Sequence, residues 1–198
     1  MGRSPGKAAA TSQLRIIGGR WRGRKLVFAP VQGLRPTPDR VRETLFNWLA
    51  PFVHGARCVD LFAGSGALGL EALSRGAAYC DFVDSSERAL RQIEAHLAML
   101  DARDQGQCHA MSALQFLHSA ETGYDIVFID PPFDSDLLVP ACALLAGRQL
   151  LNEGALVYTE SAAGDGAPLV PPGWNLRREK RAGGVGFRLF VVATDQIV

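Results

Sequence analysis

Asp60, the turn Gly64-Ser65-Gly66-Ala67-Leu68-Gly69, Asp84 and the tetrapeptide Asp130-Pro131-Pro132-Phe133 are the residues whose types and spacing can do chemistry. The turn fits G-x-G-x-x-G, a pattern whose glycines let the backbone close tightly against a nucleoside cofactor. Asp84 stands 20 residues past Gly64, where an acid reaches ribose hydroxyls. On these two features a nicotinamide or flavin oxidoreductase is a real rival, and so is a tight strand-to-helix turn with no ligand. Asp60, four residues before the first glycine, tilts the choice. A carboxylate there repels a pyrophosphate and attracts cations. S-adenosylmethionine carries an ammonium and a sulfonium, and no phosphate.

The Asp130–Phe133 turn is the sharpest signal. Two prolines fix φ twice and remove two N–H donors, leaving a stiff loop of acceptors. Its carboxylate and carbonyls suit the two N–H bonds of an exocyclic amino group on a nucleobase. Gripping them draws that nitrogen toward sp3 geometry and frees its lone pair for attack on a methyl carbon. Phe133 offers a flat face for the base once it has left its helix or loop. The tripeptide alone is also compatible with a plain rigid turn. Behind a glycine turn and a ribose acid it is specific.

These residues need strands that end together. ARCVDLF (56–62) reads as a buried strand, followed by the glycine turn and a helix over 67–75. Further strands are expected at 78–84, 107–111, 124–130 and 155–161, with helices at 86–100, 112–119 and 137–146 between them. NLRREKRA (175–182) and VGFRLFVV (185–192) flank Gly183-Gly184 as an antiparallel pair. Alternating strands and helices with a closing hairpin predict a mostly parallel α/β sheet with an antiparallel edge. Asp60, Asp84 and Asp130 then emerge on its carboxyl edge, where open α/β folds place ligands. Ahead of this lie a leader (1–13), a β-hairpin or strand pair over 14–29 around Gly18-Gly19, and a helix opened by Thr37 as N-cap with Pro38 in its first turn and stopped by Pro51. The domain reading is a leader and basic hairpin over 1–33 and a catalytic domain over 34–198.

The chain has 198 residues and a net charge of +1, divided as +8 over residues 1–50 and −7 over the rest. A basic arm on an acidic body predicts a phosphate-rich nucleic acid as partner. Arg20, Arg22, Arg24 and Lys25, with Arg35 and Arg40, are its candidate contacts, and Arg178, Lys180 and Arg181 beside Gly183-Gly184 form a second basic loop. No apolar run approaches a membrane span, and the N-terminus has no apolar signal region. Cys58, Cys80, Cys108 and Cys142 are 22, 28 and 34 residues apart, which is neither zinc spacing nor a disulfide framework. They are expected as buried free thiols in a reducing cytoplasm. His54, His96, His109 and His118 are scattered, so no metal is assigned. Nothing in the pattern forces an oligomer, and a monomer is expected.

Taken together, DLFAGSGALGLEALSRGA and FIDPPF resemble class I S-adenosylmethionine-dependent methyltransferases that act on amino groups, a group that includes adenine-N6 and guanine-N2 enzymes. RIIGGRWRGRKL, RPTPDRVRETLFNWL and YTES narrow the resemblance to the bacterial 16S rRNA guanine-N2 methyltransferases of the ribosomal small-subunit methyltransferase D family, from about Leu14 to Phe190. The resemblance implies a Rossmann-like seven-stranded sheet with helices on both faces, and direct in-line methyl transfer to N2 of one guanine in 16S rRNA of the 30S particle. It implies that Asp60, Phe62, Ala63, Gly64, Ser65 and Gly66 surround the methionine part of the cofactor, and Asp84 with Ser85 the ribose. Ala110 and Met111 would flank the adenine, and Thr37 and Arg42 the methionine end, with Arg42 able to pair with its carboxylate. Asp130 and the Pro131 carbonyl, supported by Pro132, would take the amino group, and Phe133 the base. Glu160-Ser161 matches a family motif with either a functional or a structural role. Three rivals remain at this point: an adenine-N6 DNA methyltransferase, an NAD(P)-dependent oxidoreductase on the glycine turn, and a non-catalytic ribosome assembly factor.

Overall fold

In the computed structural model, which describes residues 12–28 and 37–193, apolar runs bounded by glycines and polar turns become strands. These are β1 (Ser12–Arg15), β2 (Lys25–Phe28), β3 (Arg57–Asp60), β4 (Tyr79–Asp84), β5 (Gly106–Ala110), β6 (Tyr124–Ile129), β7 (Leu151–Ala162), β8 (Trp174–Ala182) and β9 (Val185–Val192). The helices are α1 (Asp39–Leu49), α2 (Ala67–Ser74), α3 (Glu87–Met99), α4 (Ala113–Ser119) and α5 (Leu138–Gly147). β1 and β2 pair by themselves, and the other strands form a seven-stranded sheet in the order β5-β4-β3-β6-β7-β9-β8. The first five are parallel, while β9 and β8 run antiparallel. The expected α/β class, its antiparallel edge and the N-terminal strand pair are therefore all present.

Alternation along the central strands fills both faces. Cys58, Ile126 and Phe128 join the core under α1, α2 and α3, whereas Val59, Val127 and Ile129 pack toward α4 and α5. Helix α2 lies close on the sheet because Gly69 has no side chain: a Cβ there would stand 2.3 Å from Phe82 Cε1. The last glycine of the turn motif thus serves helix–sheet packing. All four cysteines are unpaired; Cys58, Cys80 and Cys142 are buried and Cys108 is half-buried.

The basic strand pair shares the main core. Leu14, Ile16, Trp21, Leu26 and Phe28 pack with residues of α1, α2 and α3, while Arg20, Arg22, Arg24 and Lys25 face solvent. Its seat is the C-terminal half of α2. Glu71, fully buried, accepts from Ile17 N at 2.9 Å and Gly18 N at 2.8 Å. Ser74 Oγ donates to Gly18 O at 2.6 Å and accepts from Trp21 N at 3.1 Å. Gly19 has φ +74, and a Cβ on it would meet Ser74 O at 1.8 Å. On the other side the Val27 carbonyl lies 3.0 Å from His96 Nε2. A carbonyl only accepts, so that nitrogen carries the hydrogen.

The strand pair expected around Gly18-Gly19 forms as β1 and β2, and these glycines enter a 3-10 turn (Gly19–Trp21) between them that docks on α2. Two expectations are corrected. Thr37 does not cap α1, because Pro38 is extended (φ −55, ψ 143) and the helix starts at Asp39 with no side-chain cap. β7 is longer than the 155–161 read from the sequence, since pairing of Tyr124 with Leu151 starts it early. The leader over 1–11 and Arg35 fall outside the described residues.

Replacing Glu71 takes the acceptor from two part-buried N–H groups and the neighbouring carboxylate from the Nη1 of Arg42, a side chain 1% exposed. Glu71→Ala is expected to lower unfolding free energy by about 3–5 kcal/mol, read as the shift of the urea midpoint at constant slope.

Candidate active site

Parallel pairing carries four acids to one edge. Asp60 ends β3, Asp84 ends β4, Asp130 follows β6 and Glu160 lies near the end of β7. β3 is the central strand from which the chain first runs to β4 and β5 and then crosses to β6. The acids therefore surround the topological switch point, where open sheets leave a crevice.

The glycine turn is held by these acids. Gly66 N donates to Ala63 O at 2.6 Å, closing the turn, and Ala63 N donates to Val83 O at 2.9 Å. Gly64 and Gly66 have φ +51 and +77, in the left-handed region that favours glycine. Gly64 N donates to Asp84 Oδ2 at 2.8 Å, and Gly69 N to Asp60 Oδ2 at 3.2 Å. The other oxygen of Asp84 accepts from Ser86 N at 2.7 Å, just before Ser86 caps α3 by accepting from Ala89 N. Ser85 is exposed and Ser65 buried, and Phe62 is half-buried against the α4–α5 side. Ala110 is the register partner of Asp84, and Met111 follows, packed on the same side as Phe62. The cofactor residues expected from Asp60 to Met111 thus gather around the ends of β3, β4 and β5.

Arg42 does not join them. Its Nη2 donates to Arg15 O at 2.9 Å and to Asp39 Oδ1 at 2.6 Å, and its Nη1 stands 3.7 Å from Glu71 Oε2. Its charge is spent on seating the strand pair, which replaces the expected contact with a cofactor carboxylate. Thr37 does reach the site: its hydroxyl donates to Asp130 Oδ2 at 3.2 Å.

Past β6 the two prolines set a loop whose Pro131 is buried and whose Phe133 is 52% exposed. Ser135 N and Oγ both donate to the Pro132 carbonyl, at 3.0 and 2.6 Å. Pro131, Pro132, Phe133, Leu138, Val139 and Glu160 are among the residues lining a cleft of about 440 Å³. Exposed Phe133 beside apolar walls offers a stacking surface for a planar group.

Glu160 is the residue that sequence reasoning left undecided. It is 3% exposed and accepts from Tyr158 Oη at 2.7 Å. The signal was the i, i+2 spacing of Tyr158 and Glu160, which puts both on one face of β7. Burial, more than any neighbour, pushes the carboxyl of Asp60 up to about 7, with the charges of Asp130 and Asp84 adding to it. Burial likewise raises Asp130 to about 6 against the opposing Thr37 hydrogen bond. Glu160 rises to about 8 through burial and then the charge of Asp130. Burial thus favours the protonated form of each relative to a free carboxyl, and a cation or a set of donors at this edge favours the ionised form.

The donor set discriminates between cofactors. A pyrophosphate needs the free N–H groups of the turn and helix start, and here Gly64 N and Gly69 N are already held by carboxylates. A cationic cofactor with a ribose and no phosphate fits the acids as they stand, so the residues fit S-adenosylmethionine. The strand pair keeps Arg20, Arg22, Arg24 and Lys25 exposed, as are Arg40 on α1 and Arg178, Lys180 and Arg181 on β8. Arg20 stacks over Trp21 at 4.2 Å and bonds Gln105.

Residues 14–191 match the family model described as conserved hypothetical protein 95. The chain is 49% identical over 182 residues to the ribosomal RNA small subunit methyltransferase D of Escherichia coli (strain K12), covering 92% of this chain and 91% of that protein. It is 42% identical to the protein of the same name in Haemophilus influenzae, covering 91% and 95%. A solved Escherichia coli structure, yhhF, superposes with a TM-score of 0.85 at 48% identity, covering 92% of this chain and 99% of that one. With a match across nearly its whole length and the acid-edged glycine turn in place, this chain belongs to the conserved hypothetical protein 95 family, that of the ribosomal RNA small-subunit methyltransferases D.

Proposed function

We propose that this protein methylates the exocyclic N2 of one guanine in 16S rRNA of the small ribosomal subunit, using S-adenosylmethionine. The observation that carries the reading is the placement of Asp130 at the same edge as Asp60 and Asp84, with Pro131, Pro132 and Phe133 following it onto the wall of a cleft of about 440 Å³. The relatives' name supports ribosomal RNA as the substrate. The exposed basic residues of the strand pair, α1 and β8 support a phosphate backbone as the larger contact. The protein acts as a cytoplasmic monomer on the assembled or late-assembly 30S particle.

Bound at the edge, S-adenosylmethionine supplies a methyl group activated on a sulfonium. Asp84 holds the ribose, Ala110 and Met111 flank the adenine, and Asp60 with the turn Phe62–Gly66 faces the methionine portion. Asp130 and the Pro131 carbonyl grip the two N–H bonds of the guanine amino group, and Phe133 stacks on the extruded base. Thr37 orients Asp130 through its hydrogen bond. Asp130 then stabilises the positive charge developing on N2, as a preorganised acceptor does. The proton leaves after attack, because a neutral guanine amino group is far too weak an acid to ionise first.

Asp130→Ala is expected to cut methyl transfer by about 10³-fold or more while S-adenosylhomocysteine binding stays near wild type; full turnover in this variant would sink the mechanism. Wild-type enzyme with labelled cofactor should put N2-methylguanosine into unmethylated small subunits and leave duplex DNA unlabelled. N6-methyladenine in DNA would move it to the rival methyltransferase class, and particle binding with no transfer to the assembly-factor reading.

The raised carboxyls predict a second behaviour. In the free protein their protonated forms are favoured relative to the unfolded chain. That stability is complete below the ordinary carboxylate range and is lost as pH rises through about 6 to 8. A bound cation favours ionisation, so cofactor binding at pH 7 should release on the order of one proton. Calorimetry in buffers of different ionisation enthalpy reads this directly. S-adenosylhomocysteine, lacking the sulfonium charge, should release less, and its apparent affinity should depend less on pH between 6 and 8.

A further inference from the structure

The parallel ladder pairs Ile129 with Thr159, so the next residues, Asp130 just past β6 and Glu160 within β7, stand side by side. Glu160 lines the cleft together with Pro131, Pro132 and Phe133, the residues that directly follow Asp130. Two hydroxyls fix the pair. Tyr158 Oη donates to Glu160 Oε1 at 2.7 Å and Thr37 Oγ1 to Asp130 Oδ2 at 3.2 Å. A carboxylate offers about four lone-pair sites, so each acid keeps acceptor capacity for a ligand. One acceptor, Glu160, therefore lines the cleft and a second, Asp130, stands beside it from the neighbouring strand, each with its direction set by a buried hydroxyl partner.

Guanine presents the complement on one edge, with the ring N1–H directly beside the N2 amino group. Adenine and 2-aminopurine carry a bare lone pair at N1, which a carboxylate repels. We propose that Glu160 accepts the N1–H of the target guanine while Asp130 grips its amino group, so that Glu160 selects guanine from other amino-bearing bases. This inference rests on the guanine-N2 reading above and adds the residue that enforces it. Asp130 and Asp60 face Glu160 with like charge, while the Tyr158 and Thr37 hydroxyls support its ionised form. The acid gains most from an N–H donor when it ionises against those neighbours, which ties base recognition to filling of the adjacent cofactor site.

The test uses full-length enzyme on small subunits reconstituted with 16S rRNA carrying guanine or 2-aminopurine at the methylated position. 2-Aminopurine keeps the amino group at C2 and loses the N1–H. Wild type should prefer guanine in kcat/KM by about tenfold or more, the scale of one hydrogen-bonded base contact. Glu160→Gln keeps the side-chain shape, and its amide can turn an N–H toward a bare N1. Its preference should therefore collapse to about threefold or less, with guanine still methylated and S-adenosylhomocysteine binding preserved. A wild-type preference retained in Glu160→Gln would overturn the proposal, since a merely structural glutamate leaves the ratio unmoved. Loss of all transfer in Glu160→Gln with intact cofactor binding would also overturn it, placing Glu160 in the chemistry instead of base selection. If wild type makes no N2-methylguanosine on guanine subunits, the functional reading itself fails, and this proposal with it.

Discussion

A carboxylate with no exposed surface, Glu71, joins parts of the chain that are far apart in sequence. It takes the N–H groups of Ile17 and Gly18, the Nε–H of Arg75 at 2.7 Å, and the nearby charge of Arg42. A buried charge of this kind is tolerated only when its partners are complete, so strand pair, α1 and α2 must assemble together. The basic surface is thereby fixed to the catalytic body as part of one core. Arg42 belongs to this joint, which explains why a buried arginine on α1 does not reach the cofactor edge.

At the opposite end of α2 the electrostatics reverse. Instead of complete pairing, the sheet edge collects acids that no buried cation balances among the described residues. Asp60 and Asp84 hold the turn by its own N–H groups, while Asp130 and Glu160 meet hydroxyls. The strain appears as carboxyls raised well above their ordinary range by burial. The pairing around Glu71 supports the same helix from its other end.

Much of this was legible before any coordinates. Strand ends at Asp60, Asp84 and Asp130 follow from apolar runs broken by glycine or proline, because local composition sets both the run and the break. The closing pair around Gly183-Gly184 was legible for the same reason, with φ of +58 and +82 that suit glycine. What escaped depends on contacts between distant segments. Thr37 has the type and position of an N-cap, yet Pro38 delays the helix and its hydroxyl is taken by Asp130, 93 residues away. Arg42 looked like an anion-binding residue, and only the seat of the strand pair reveals its partners. Glu160 sat in a short motif whose weight appears once β7 is placed beside β6.

Helix α2 is eight residues long. Its first turn is bound by Asp60 through Gly69 N, and its last by the strand pair through Glu71 and Ser74. An α-helix turns by about 100° and rises about 1.5 Å with each residue. One inserted residue would keep the composition and helical propensity almost intact, yet it would swing Glu71 and Ser74 a quarter-turn away from Gly18. Over this stretch the length of the chain is as constrained as its chemistry, and lineages of this fold should tolerate substitutions in α2 far more readily than a change in its residue count.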